Sequence, residues 1–254
     1  MPRPNENLDG VRILKSLGIK LFQDGAELSK MVDARARGTV DGFTTNPTLM
    51  RKAGVSDYKD FAQKAIAAIP DRPISFEVFS DEFEEMERQA HEIATWGEHV
   101  YVKVPVTNTK RAPAYDLIHR LSQAGVKVNV TAVLTLEQVR DVVAALKGGA
   151  PSNVSVFAGR IADTGRDPVP LMAEAVDILR SAPKAELIWA SPRELLNIFQ
   201  ADEIGCHIIT VTHDILKKLP LVGRSLEEFS LDTVKMFYED ARAAGFSLAL
   251  ASTT

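Results

Sequence analysis

The feature that most limits the folds open to this chain is a rhythm. A short β-branched, apolar run is followed by a helix-length stretch, and the pair returns along most of the sequence. Strand candidates span 19–23, 42–48, 74–78, 100–107, 126–131, 153–157, 186–190 and 207–211. Helical stretches follow at 26–36, 58–69, 82–96, 113–123, 136–147, 168–181 and 193–200, with a short piece near 214–219. Pro47 interrupts the second run and forces Asn46 out of the helical region. Eight strand-then-helix units in roughly 200 residues predict an α/β fold, a closed (β/α)8 TIM barrel over 19–222. A lead-in segment, 1–18, would carry a short helix, and 223–254 would hold an extra amphipathic helix over 226–244. An open doubly wound sheet is the rival. It lacks a cofactor site here, because neither GxxxxGK[ST] nor a GxGxxG after the first strand is present.

The fourth strand candidate carries the sharpest chemical signal. Val100, Val102, Val104 and Val106 share one face, and Tyr101, Lys103, Pro105 and Thr107 share the other. A buried parallel strand covered by helices on its valine side turns Lys103 toward the barrel interior. Two readings stand. The lysine snorkels to water or pairs with an acid; or burial favours the neutral amine, a nucleophile for carbonyl carbon.

Barrel active sites lie at the carboxyl ends of the strands. The last inward positions read Asp24, Asn46, Glu77, Lys103, Thr131 and Ser155, with Asn129 one step deeper. A purely structural interior would place Val, Ile or Leu there. An amine between two carboxylates, with hydroxyl and amide groups around it, is what imine chemistry needs to move its protons. Arg160, just past the sixth strand, and Arg193, in Ser191-Pro-Arg193 past the seventh, are candidate phosphate ligands. Surface arginines at helix starts are an equal reading.

Other function classes recede. The net charge of −4 comes without a long basic run, so neither nucleic acid nor an anionic membrane is expected as a partner. No apolar run approaches a membrane span, and residues 1–8 lack the apolar core of a signal peptide, so a cytoplasmic location is expected. Cys206 is the only cysteine and reads as a small buried residue at a strand start. The five histidines are scattered without ligand spacing; neither a metal nor another cofactor is expected.

Three motifs carry a family likeness over roughly 19–246. They are Thr44-Thr-Asn-Pro-Thr48, Val102-Lys-Val-Pro-Val-Thr107 and Phe157-Ala-Gly-Arg-Ile161. With them the chain resembles the transaldolase and fructose-6-phosphate aldolase family, class I enzymes on a (β/α)8 barrel. The resemblance implies that Lys103 forms the Schiff base and Asp24 is the acid/base for carbon–carbon cleavage. It gives Glu77 and Thr131 the relay water, and Asn46, beside Thr44, the substrate hydroxyls. Ser155 and Asn129 would line the substrate site. Arg160, with Ser191 or Arg193, would grip the phosphate of a sugar-phosphate substrate. Simple aldolases of the family carry Gln and Tyr at the positions of Glu77 and Phe157; transaldolases carry the acid and the Phe found here. Transfer of a dihydroxyacetone unit is therefore implied ahead of its release, with a non-catalytic sugar-phosphate-binding barrel as the alternative from another class.

The chain departs from the family at Phe43, in a shortened segment before Arg193, and after Thr107. There Asn108 through Ala112 replaces an acid and glycine. Lys110 and Arg111 on that loop read either as solvated charges or as a second anion site. In related small enzymes the terminal helix crosses to the next subunit, so a homo-oligomer is expected.

Overall fold

The computed structural model describes residues 16–248. Most of the expected lead-in helix lies outside them. Eight strands close into one parallel barrel in sequence order. They are β1 (Lys20–Asp24), β2 (Gly42–Thr44), β3 (Ile74–Glu77), β4 (Val100–Pro105), β5 (Val128–Val133), β6 (Ser152–Val156), β7 (Ala185–Trp189) and β8 (Ile208–Thr212). The principal helices of the outer ring are α1 (Leu28–Ala36), α3 (Tyr58–Ala68), α4 (Phe83–Ala94), α5 (Tyr115–Gln123), α6 (Leu136–Leu146), α8 (Val169–Leu179) and α9 (Leu196–Glu203). Shorter helices interrupt the loops: α2 (Pro47–Lys52), α7 (Ala158–Ala162) and α10 (His213–Leu216). The terminal α11 (Leu226–Ala243) has no buried residue. Among the described residues no helix is long and apolar enough to cross a membrane.

Local chemistry explains the boundaries. Asn46 is extended ahead of Pro47 and its side-chain oxygen accepts from the Leu49 N–H, so β2 stops short and α2 begins. Thr135 and Gln138 form a reciprocal capping box that starts α6. Asp57 caps α3. The expected fifth strand, 126–131, runs instead from Val128 to Val133 because it continues through a bulge. Ala132 takes φ 62° there, a conformation that costs an L residue energy and is held by the strands around it.

The valine face of β4 is buried against the helices, as its alternation requires. Inside the barrel the two sides differ. Phe22, Ile188, Ala190 and Ile208 form an apolar plug between β1, β7 and β8, with Phe157 packed on it. Gly42 leaves room for the Phe22 ring, since a Cβ at that position would stand 2.6 Å from it. The opposite side is polar: the Asn129 amide donates to Ser75 Oγ at 3.0 Å and accepts from Ser155 Oγ at 2.7 Å. Cys206 is buried before β8, and burial pushes its thiol up to about 12, which leaves it unreactive.

Candidate active site

A cavity of about 560 Å³ opens at the carboxyl ends of the strands. Lys103 stands at its floor, 6% exposed. It is neither alone nor snorkelled. Its Nζ lies 3.1 Å from Glu77 Oε2 and donates to the Thr45 carbonyl at 2.8 Å. Of the readings left open, pairing with an acid is the one present: β3 and β4 place Glu77 beside Lys103 in register, so the amine has an acid within proton-transfer reach.

Asp24, at the end of β1, accepts from Thr44 Oγ1 at 2.8 Å, and Thr44 Oγ1 stands 2.6 Å from Thr210 Oγ1. Burial pushes the Asp24 carboxyl above its ordinary value. The nearby Lys103 and the Thr44 hydrogen bond oppose that rise, and Glu77 adds to it. Two carboxylates thus flank one amine in different surroundings. Thr131 Oγ1 is buried without a partner among the described residues, and the residue lines the cavity. A buried hydroxyl of this kind is suited to hold a group that arrives with solvent or substrate.

The far wall is cationic. Arg160 has its guanidinium 5.8 Å from the centre of the Phe157 ring, with no ion pair among the described residues. Arg193 is committed elsewhere in part: its Nε donates to Asp163 Oδ1 at 2.8 Å, a second nitrogen reaches Asp163 Oδ2, and Nη1 donates to Ser191 Oγ at 3.1 Å. The Arg193 hydrogen bonds hold the Asp163 carboxyl below its ordinary value. The loops after β6 and β7 are pressed together at Gly159, where a Cβ would stand 1.6 Å from the Ser191 carbonyl oxygen. Ser191 itself sits at φ 59°.

Of the residues singled out from sequence, Asp24, Thr44, Asn46, Glu77, Lys103, Thr131, Ser155, Phe157, Arg160, Ser191 and Arg193 all line this cavity. Asn129 does not. It is fully buried beneath the floor, where its amide bridges Ser75 and Ser155. It belongs to the layer below the strand ends, beneath the cavity residue Ser155. Lys110 and Arg111 are also outside the cavity lining. Lys110 pairs with Glu82 at 2.8 Å, Thr109 binds Asp81, and Thr107 bridges Pro113, so the loop is tied down on the β3 side of the rim. Sequence reading missed Thr210 and Lys52. The alternation Ile208, Thr210, Thr212 on β8 carried the first signal; Lys52 needed α2, whose six residues are too few for a periodic pattern.

Comparison with known proteins agrees with the motifs. The profile described as Transaldolase/Fructose-6-phosphate aldolase matches residues 21–249. A probable transaldolase of Dehalococcoides mccartyi is 35% identical over 218 residues, 84% of this chain and 97% of that one. The chain belongs to the transaldolase and fructose-6-phosphate aldolase family. A probable transaldolase of Thermoanaerobacter sp. is 34% identical over 236 residues, covering 91% of this chain and 100% of the relative. In Listeria monocytogenes, a probable transaldolase 2 is 35% identical over 220 residues, 84% and 95% of the two chains. Family membership makes this chain an enzyme. Among solved structures, dihydrodipicolinate synthase from Rhodopseudomonas palustris superposes with a TM-score of 0.58 at 13% identity, over 88% of this chain and 79% of that one. A 2,3-dimethylmalate lyase gives 0.54 at 13% identity. At that identity the likeness is one of fold, the TIM barrel.

Proposed function

We propose that this enzyme transfers a dihydroxyacetone unit between sugar phosphates through an imine on Lys103. The observation that carries the reading is the Lys103–Glu77 pair, an amine and an acid 3.1 Å apart at the floor of the cavity. Proton transfer from Lys103 to Glu77 frees the amine lone pair, which adds to the C2 carbonyl of a ketose phosphate. The cationic nitrogen of the adduct passes a proton to the new alkoxide, Glu77 returns its proton to the hydroxyl so formed, directly or through a water held by Thr131, and loss of water leaves the iminium. The iminium accepts the electron pair of the C3–C4 bond as that bond breaks. Asp24 takes the C4 hydroxyl proton, and an aldose phosphate leaves. The enamine on Lys103 adds to an incoming aldose phosphate by the same steps reversed, and hydrolysis of the new imine restores the amine.

Asn46, Thr44 and Ser155 hold hydroxyl groups of the donor in this reading, and Phe157 walls the cavity beside Arg160. Arg160 is the principal phosphate ligand. Arg193, already shared with Asp163, orients Ser191 and strengthens the local positive field. By family likeness Glu77 with Phe157 supports transfer over release of free dihydroxyacetone. We also place α11 at an interface between copies of the chain.

Borohydride reduction in the presence of fructose 6-phosphate or sedoheptulose 7-phosphate tests the imine. A stable adduct should map to Lys103 by mass spectrometry, and an unmodified Lys103 under turnover would sink the mechanism. Supplying or withholding an acceptor aldose phosphate then separates transfer from release, since a simple aldolase yields free dihydroxyacetone at full rate without one.

A further inference from the structure

The Thr45 carbonyl that accepts from Lys103 is a ladder group taken out of the sheet. Parallel strands exchange evenly spaced hydrogen bonds. Between β2 and β3 they run from the Phe43 N–H to the Pro73 carbonyl at 2.8 Å and from the Thr45 N–H to the Ser75 carbonyl at 3.1 Å. The next bond in that series would run from the Glu77 N–H to the Thr45 carbonyl. It is not made. Asn46 and Pro47 carry the chain off into α2, the Thr45 carbonyl accepts from Lys103 Nζ at 2.8 Å, and the Glu77 N–H donates to the Tyr58 hydroxyl at 2.7 Å. That same hydroxyl donates to the Glu77 carbonyl, also at 2.7 Å. One phenol from α3 therefore satisfies both backbone groups that Glu77 presents toward the missing continuation of β2.

We propose that Tyr58 is a positioning residue for the Lys103–Glu77 pair: by occupying the Glu77 backbone it keeps the Thr45 carbonyl available to the Lys103 amine. The inference rests on the reading of Lys103 as the imine-forming residue, and it concerns how that amine is aimed. The ammonium has three N–H groups; once one proton passes to Glu77, two N–H groups and a lone pair must be apportioned. The Thr45 carbonyl takes one N–H on the β2 side, and the Glu77 carboxylate stands 3.1 Å from the amine across β3. Glu77 is in turn fixed at its backbone by Tyr58, so its carboxylate meets Lys103 from a constant direction. Tyr58 is held by aromatic neighbours, with ring centres at 5.5 Å to Phe79, 6.0 Å to Trp96 and 6.4 Å to Phe76. Burial pushes the phenol above its ordinary value, so the hydroxyl keeps the proton it donates to the Glu77 carbonyl.

Removing the hydroxyl while keeping the ring separates the two roles. In Tyr58→Phe the Glu77 N–H loses its acceptor, and the Thr45 carbonyl is the ladder partner nearest in sequence logic; a buried N–H does not stay unpaired when an acceptor can reach it. Competition for that carbonyl misdirects the amine. The rate of borohydride-trapped imine formation per folded molecule should fall about tenfold, the scale of one lost hydrogen bond, while KM for the ketose phosphate stays within about twofold. Tyr58→Leu, which also removes the ring, serves as the packing control and should add a loss of thermal stability. Trapping in Tyr58→Phe equal to wild type overturns the inference and leaves Lys103 as the imine lysine. Losses in both variants that vanish once rates are normalised to folded protein overturn it as well. Absence of trapping at Lys103 in the wild type overturns the reading of Lys103 and this inference with it. Should Tyr58→Phe not fold, 3-fluorotyrosine installed at position 58 alone keeps the ring and weakens the hydroxyl as an acceptor; slower trapping supports the inference, and unchanged trapping overturns it.

Discussion

At the scale of residues the site sets two carboxylates in different surroundings around one amine. Glu77 touches Lys103 directly, while Asp24 is half-buried and braced by Thr44. Its raised carboxyl ties function to stability, and the sign can be worked out. A group whose folded pKa lies above its unfolded value of 3.8 binds its proton more readily in the native state. The stability it contributes is present in full below that value and is lost as pH rises through the folded one. Asp24→Asn removes a charge that burial disfavours, so the variant should melt above wild type near pH 8, and the gain should vanish once pH falls below the unfolded carboxyl value of 3.8. Scanning calorimetry across that range checks it; a variant less stable than wild type at pH 8 would show that the Lys103 attraction outweighs burial. The same variant should still trap substrate on Lys103 while carbon–carbon cleavage falls by about 10²–10⁴-fold. Lys103→Arg should abolish trapping altogether, because a guanidinium stays charged and cannot attack. These residues were legible from strand alternation, which assigns an inward or outward face, together with the rule that barrel sites lie at the carboxyl ends of the strands. The same reading set Asn129 one step deeper; what it could not give is that Asn129 is fully buried, with its amide spent on Ser75 and Ser155.

At the scale of elements the strand–helix rhythm was legible because each strand buries β-branched residues on its helix side and each long helix has an apolar face. The parts not legible in advance are those where local rules give way to neighbours. The bulge at Ala132 exists because β5 must continue past β6 out of register. The five-residue α7 owes its position to packing against the loop after β7. Gly159 makes that packing possible, and its Cβ would meet a backbone oxygen that cannot swing aside. Gly159→Ala should therefore lower the unfolding free energy by about 1–3 kcal/mol in urea titrations. KM for phosphorylated substrates should rise with it, since Arg160 and Ser191 would separate. An unchanged denaturation midpoint would mean that the two loops part without cost. The loop after β4 carries the opposite expectation. Lys110 is engaged by Glu82 on an exposed rim, where such a pair contributes little to stability. The double variant Lys110→Ala, Arg111→Ala should leave kcat/KM within about twofold across acceptor sugars at low and high salt. A salt-dependent rise in KM would restore the second anion site that the sequence left open.

At the scale of the whole molecule one element has no function inside its own barrel. The ring is closed by β8 pairing with β1, and α11 follows it with no residue buried. Yet α11 is amphipathic in sequence, and Leu226, Phe229, Val234, Phe237 and Tyr238 are all exposed along it. The polar side of the helix is well provided for. Ser225 caps its start, and Glu227 and Glu228 lie in the first turn where the helix dipole favours acids. Arg242 lies in the last turn, 5.7 Å from the Tyr238 ring centre. A helix with both ends finished and its apolar face in water is a surface made to be covered. A second copy of the chain is the occupant we propose, because each copy offers the same apolar face, and repeated contacts of that kind close into a symmetric assembly. Wild-type protein at micromolar concentration should scatter light as a multiple of 27.8 kDa. Val234→Glu with Phe237→Glu should return it to the single-chain mass with the barrel still folded by circular dichroism. Its melting temperature should also stop rising with protein concentration, as mass action demands once the partner is gone. A wild-type monomer in light scattering would leave α11 without a partner of its own kind and remove the interface from this account.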